Sequence, residues 1–163
     1  MDAKHPGRDG NKSKKGITIR MPWTAKYNAG LHAVEVISRG DLSPEDLRTQ
    51  IVESIRLGWE HATDRLLIDD EQLTSAFSAI DLVSLVDAYA EMGLSQRTRI
   101  AVLLPTSPHS ARTMQFYETA ARNRAYNLRV FPGRVAAQLW LVMEQDSCPS
   151  RLDPPTATTR LRP

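Results

Sequence analysis

Residues 65–105 read RLLIDDEQLTSAFSAIDLVSLVDAYAEMGLSQRTRIAVLLP, and this stretch decides the fold. It opens with the short apolar run Leu66-Leu67-Ile68, which ends in Asp69-Asp70-Glu71 and reads as a buried parallel strand reaching the surface. Ser78, with Asp81 three residues on, forms a pair able to cap a helix start. Leu82, Val83, Leu85, Val86 and Tyr89 supply the apolar positions of that helix, and Gly93 stops it. Ile100 to Leu104 is the next buried strand, closed by Pro105. Two strands joined through a helix run parallel, and the crossover is right-handed.

The pattern extends in both directions. Upstream, Ile17, Ile19, Met21 and Trp23 recur at period two, as in a half-buried strand. Asn28-Ala29-Gly30 supplies turn residues, and Leu31 to Ser38 is a second strand whose alternating sets are both apolar, so the pair reads as an antiparallel hairpin. Ser43 caps the helix that follows, Pro44 suits its first position, and Glu45 and Asp46 complement its positive end. Leu47, Ile51, Val52, Ile55 and Trp59 are its expected packing stripe. Downstream, Thr106 or Ser107 caps a helix with Pro108 just inside, packing through Met114, Phe116, Tyr117, Ala120 and Ala121. Leu128 to Phe131 is the last strand, Pro132-Gly133 breaks the chain, and Val135 to Glu144 is a final helix around Leu139, Trp140 and Val142. The expected fold is α/β: a mainly parallel five-stranded sheet with an N-terminal antiparallel hairpin strand and about four helices. If sequential strands are neighbours, the crossover helices share one face, and the other face needs cover from a tail, an oligomer partner or a ligand.

The chain of 163 residues accommodates one ordinary domain, expected over 17–145. Residues 1–16 carry five Lys and Arg against two Asp with almost no apolar content, and read as a disordered basic tail. Residues 146–163, rich in Pro, Thr and Arg, read as a second one. A formal charge of +2 demands neither nucleic acid nor a membrane, and nucleic-acid binding is not expected. The single cysteine, Cys148, excludes an intramolecular disulfide and fits a reducing compartment. The first residues have no apolar core of the signal-peptide kind, and no apolar stretch approaches the ~18 residues of a membrane span. A cytoplasmic location is expected.

Ligands of open parallel sheets sit at the carboxyl ends of the strands, where helix N-termini favour anions. Here that edge gathers Asp69, Asp70, Thr74, Ser75, Ser78, Thr106, Ser107 and His109, the candidate ligand- or partner-binding residues. The carboxylates suit a magnesium ion by type, but neighbours in a strand alternate direction, and no metal site is expected. His109 beside Ser107 and Ser110 invites a nucleophile–base reading, but on a first helical turn His109 and Ser110 diverge and no nucleophile elbow is present. Four scattered histidines, with neither GxGxxG nor GxxxxGK[ST], leave no zinc or nucleotide motif, so no cofactor is expected. Arg112, Arg122, Arg124, Arg129 and Arg134 give the last third a basic cast that ordinary pairing, such as Glu118 with Arg122, partly explains. Trp23, Trp59 and Trp140 are expected in the core.

The landmarks Val36 to Gly40 before Ser43-Pro44-Glu45, Leu67-Ile68-Asp69 and Arg99-Ile100-Ala101-Val102 resemble those of a known family. With Arg129-Val130-Phe131 and Ala136-Ala137 leading into Trp140-Leu141, they resemble the SpoIIAA-like branch of STAS domains, the anti-sigma-factor antagonist fold related to the SEC14 type. The resemblance covers most of residues 17–143. It implies protein–protein or small-ligand binding without turnover. It also implies a phosphorylation site at the serine opening the helix after the third strand, the place of Ser78, although Phe77 precedes it where the family has an acid and no glycine follows. A plain helix cap is the other reading of Ser78. The expected function is a non-enzymatic binding or regulatory module, with a carrier or sensor of a small apolar or anionic ligand as the alternative and a homodimer as one cover for the open sheet face.

Overall fold

The computed structural model describes residues 22–143. The readings that fall on 1–21 and 144–163, among them both tails, Ile17, Ile19, Met21 and Cys148, lie outside the described residues. The elements are β1 (Trp23–Asn28), β2 (Ala33–Gly40), α1 (Pro44–Glu60), β3 (Arg65–Leu73), α2 (Ala79–Asp87), β4 (Arg99–Leu103), α3 (Pro108–Arg122), β5 (Asn127–Phe131) and α4 (Arg134–Val142). They form a sheet in the order β1-β2-β3-β4-β5. The hairpin β1–β2 is antiparallel, and β2, β3, β4 and β5 run parallel.

Local chemistry explains the helix starts. Ser43 and Ser78 each close a capping box: the hydroxyl accepts from the third residue's N–H while Asp46 or Asp81 accepts from the cap's own N–H. Gly93 sits at φ 84°, in the left-handed region where a β-carbon costs ~1–2 kcal/mol, and so ends the turn that follows α2.

Period-two alternation divides the central strands between two cores. Val34, Val36, Leu66, Ile68, Ile100 and Val102 face α1, α2 and α3, meeting Ile51, Leu82, Leu85, Val86, Met114 and Tyr117. On the opposite face Leu67, Ala101 and Leu103 meet Ala137 and Leu141 of α4, with Phe131 and Trp140 alongside. Small Ala101 and Ala137 allow the helix to approach closely. Each such Leu or Val contributes about 1.5–3 kcal/mol by leaving water.

Several expectations are corrected here. Among the described residues the first strand runs from Trp23 through Asn28, so the turn is at 29–32, and β2 spans 33–40 rather than 31–38. β3 continues through Asp69-Asp70-Glu71 to Leu73, so those acids are strand residues and not a solvated loop. The open sheet face is covered in part by α4: among the described residues no strand follows this helix, so no crossover rule holds it on the side of α1–α3. The buried side of α1 is formed by Leu47, Gln50, Ile51, Ser54 and Leu57. Val52 and Trp59 lie roughly 120–140° around the helix from Leu47, and Trp59 is 81% exposed. The reason is polar: Gln50 Nε2 donates to Ser38 Oγ at 3.0 Å and Ser54 Oγ to the Gln50 carbonyl at 2.7 Å, so two polar residues occupy the inward positions. Phe116 of α3 is exposed as well, and α4 packs through Ala137 and Leu141 instead of Leu139 and Val142.

Candidate functional site

The carboxyl edge of the sheet brings the ends of β2, β3 and β4 beside the starts of α1, α2 and α3. Most of its hydroxyls are engaged in holding the chain. The Ser75 hydroxyl is buried, donates to Asp41 Oδ1 at 2.7 Å and accepts from the Leu42 N–H, while the Thr74 N–H reaches the Gly40 carbonyl at 2.8 Å. These bonds pin the loop after β3 to the loop after β2. Thr106 Oγ1 donates to the Glu71 carbonyl at 3.2 Å, tying the end of β4 to β3. Ser78 Oγ accepts from the Asp81 N–H at 3.1 Å, and Asp81 Oδ2 accepts from the Ser78 hydroxyl at 2.7 Å and from the Ser78 N–H at 3.0 Å, which holds the Asp81 carboxyl below the usual range.

Ser107 caps α3 by position without a side-chain bond, and His109 is exposed on the first turn. Among the described residues the His109 ring makes no hydrogen bond to a serine or a carboxylate, so no nucleophile–base–acid arrangement forms there. Ser78 is exposed beside Ile80, itself 77% exposed, so the α2 start presents a hydroxyl and an apolar side chain together. Because that hydroxyl satisfies the orphan Asp81 N–H of the first turn, Ser78→Ala is expected to cost about 1 kcal/mol and Ser78→Gly only a few tenths, read as shifts of the urea midpoint at constant slope.

Asp69 and Asp70 diverge to opposite faces of β3. Asp69 faces α4 and accepts from Arg134 Nη2, while Arg134 Nη1 donates to Glu35 Oε1 at 2.5 Å. Burial works to raise the Glu35 carboxyl, but the bond and charge of Arg134, with help from Asn28 and Lys26, outweigh it and hold the group below its ordinary value. Arg134 therefore neutralises two carboxylates at the first residue of α4.

Asp70 faces the other core and is 4% exposed. Its Oδ1 has no hydrogen-bond partner among the described residues. It borders a cavity of about 20 Å³ with Gln50, Met114 and Tyr117, about the room of one water molecule. Burial pushes the Asp70 carboxyl up to about 6, the Asp69 charge adding to this and a bond from Ser38 opposing it. Beside it the Tyr89 and Tyr117 hydroxyls bond each other, and burial raises both phenols. Among the described residues no group of three His, Cys, Asp or Glu side chains is placed to hold a metal.

The feature that sequence reading missed is the outer face of α4. Val135, Leu139 and Val142, at spacings of four and three, are 72%, 58% and 40% exposed, and Met143 extends the stripe. Arg134 is the helix's only charged residue and is turned to Glu35 and Asp69. The outer faces of α1 and α3 carry ion pairs instead, Arg56 with Glu53 and Glu60, and Arg122 with Glu118. The signal was available in the sequence: eight residues from Val135 to Val142 without a charge are more apolar than one buried stripe requires.

The class of protein so described is α/β: a five-stranded mixed sheet with three helices on one face and one on the other. No protein-family model matches the chain, and no curated protein matches it. Among solved structures it is similar to the anti-sigma factor antagonist SpoIIAA in its unphosphorylated form, with 18% identity and a TM-score of 0.44 over 70% of this chain and 91% of that one. That match is to the family the sequence landmarks resemble.

Proposed function

We propose that the domain is a non-enzymatic module that acts by contact with another protein, and that the outer face of α4 is a principal contact surface. One observation carries this: the charge-free stripe Val135–Leu139–Val142 faces water on a helix whose only charge is turned elsewhere. Four exposed apolar side chains make a patch on the order of 400 Å², the size of patch that marks interaction sites on monomers. The polar carboxyl edge around Ser78, Ile80 and Ser107 is a second face on which a partner's contact would depend on the state of the Ser78 hydroxyl. A phosphate there would meet the free N–H groups of the α2 start but also the Asp81 carboxylate, which now holds that hydroxyl. The module is expected to work inside the cell, and no helix among the described residues is long and apolar enough to cross a membrane.

The test is photo-crosslinking in the native host with p-benzoylphenylalanine in place of Leu139, and in place of Arg48 on α1 as a control. A discrete adduct from position 139, lost on Val135→Glu and absent from position 48, is the expected result. Its mass distinguishes a second copy of this chain from another protein. No adduct from position 139, or turnover of a phosphoester or ester panel that Ser107→Ala abolishes, overturns the reading.

A further inference from the structure

At the end of the sheet opposite Ser78, the starts of β3, β4 and β5 border an open cleft of about 580 Å³. Arg65, Arg97 and Arg99 line it, with Gln96, Asn127 and Met143, and among the described residues Asp64 is the only carboxylate in its walls. Ion pairs among the described residues engage Arg56, Arg122, Arg124 and Arg134, and none engages Arg65, Arg97, Arg99 or Arg129. Arg99 is fixed in place: its two terminal nitrogens donate to the Trp140 and Met143 carbonyls at the end of α4, and its guanidinium lies 4.6 Å from the centre of the Trp140 ring. Its buried Nε has no partner among the described residues. Arg129 approaches the same ring from 5.6 Å. Burial first, and then the charges of Arg65 and Arg129, lower the Arg99 pKa against the opposing Asp64, so the two neighbouring guanidinium groups lie close enough to Arg99 for their charges to be felt. Such a cluster is relieved by an anion of more than one charge, and guanidinium forks match phosphate oxygens.

A second groove of about 520 Å³ adjoins the cleft and shares Asp64 and Arg65 with it. Its walls include Val34, Ile55, Leu66 and Leu94, and Trp59 stands exposed at its edge. Exposed, Trp59 contributes nothing to the core, yet it offers a flat apolar surface beside a cationic one. Both volumes lie within the ~300–1,000 Å³ of small-molecule sites. We infer that this end of the sheet binds a soluble organic phosphate, with the phosphate in the arginine cleft and the apolar or aromatic body in the groove beside Trp59. The cleft meets the α4 stripe at Met143, and the inference does not depend on the contact reading above.

The test is isothermal titration of the full chain at low salt with two probes, phenyl phosphate and inorganic phosphate. Phenyl phosphate is expected to bind about ten-fold tighter than inorganic phosphate, with an affinity that falls as salt is raised. Arg65→Gln combined with Arg97→Gln is expected to weaken both probes about ten-fold or more. Arg97→Gln alone, an exposed loop residue, repeats the test should the double variant melt early. Trp59→Ala should remove the advantage of phenyl phosphate while leaving inorganic phosphate unchanged. No binding of either probe, equal binding of both, or affinities indifferent to the arginine variants would overturn the inference. Retention on phosphatidic acid vesicles without phenyl phosphate binding would overturn it in favour of a lipid surface.

Discussion

Replacing Arg134 with methionine is expected to destabilise the fold by about 2–3 kcal/mol at neutral pH, read as a lower urea midpoint. The guanidinium stands between Glu35 and Asp69, whose side chains are nearly buried, so its loss leaves two carboxylates facing each other in a poorly solvated site. Breaking a buried pair from one side costs ~3–5 kcal/mol, and the expected value is lower because Arg134 itself is about a third exposed. The pH dependence separates this cause from lost packing. Glu35 has its folded pKa depressed below 4.5, so the stability it contributes is present above that value and lost as pH falls through the depressed one. The gap between wild type and Arg134→Met should therefore narrow in acid. Adding Glu35→Gln and Asp69→Asn to the variant should recover much of the loss at neutral pH, because no charge then remains unpaired. A gap that stays constant down to pH 3 would assign the effect to packing of α4.

Asp70→Asn is expected to act in the opposite direction and to stabilise the protein at neutral pH. The folded carboxyl titrates at about 6 against an ordinary 3.8, so the folded state binds this proton more tightly than the unfolded chain. The corresponding stability, about 3 kcal/mol, is fully present below pH 3.8, declines as pH rises towards 6, and is absent above it. At pH 7 the wild type therefore carries a buried carboxylate with one oxygen unpartnered, and asparagine, an isostere of the protonated acid, does not. Urea unfolding between pH 4 and 8 should show the variant ahead by up to about 3 kcal/mol above pH 6 and level with wild type near pH 4. Equal stabilities at pH 7 would mean that the carboxylate is satisfied, with a water in the small cavity beside Gln50 and Tyr117 as the nearest donor. A protein that retains a destabilising acid at this position holds a reserve of pH sensitivity under α1, α2 and α3.

Much of the fold was legible because the relevant signals are local. The Ser43 and Ser78 capping boxes depend on residues three apart, and Leu66-Leu67-Ile68 and Ile100 to Leu104 are runs that only a doubly covered strand tolerates. Sequential strand order with right-handed crossovers then leaves few topologies. Boundaries were less legible. β3 runs on through two aspartates that take opposite faces, Asp69 paired with Arg134 and Asp70 buried at a cost that its raised pKa records. The inward side of α1 was misread because Gln50 and Ser54 are buried in place of Val52 and Trp59, and their hydrogen bonds become visible only once β2 is beside them.

The candidate residues fared unevenly. Thr74, Ser75, Ser78, Thr106, Ser107 and His109 lie at the ends of β3 and β4 and the helix starts after them, since a parallel sheet places all such loops at one end, whereas Asp69 and Asp70 lie within β3 on opposite faces. Which hydroxyls are free there, and which are occupied in pinning loops, depends on partners about 30 residues away, as with Ser75 and Asp41 or Thr106 and Glu71. By itself the sequence determined the order of elements, the parallel sheet and the helix starts, all of which follow from spacings within one turn or one strand. Only the tertiary structure decided that α4 crosses to the far face, that Arg134 reaches back across 99 residues to Glu35, and that Arg65, Arg97 and Arg99 share one cleft. The physical reason is that burial and charge pairing are set by distances in space, and the chain's periodicities encode which face a residue takes but not what it meets there.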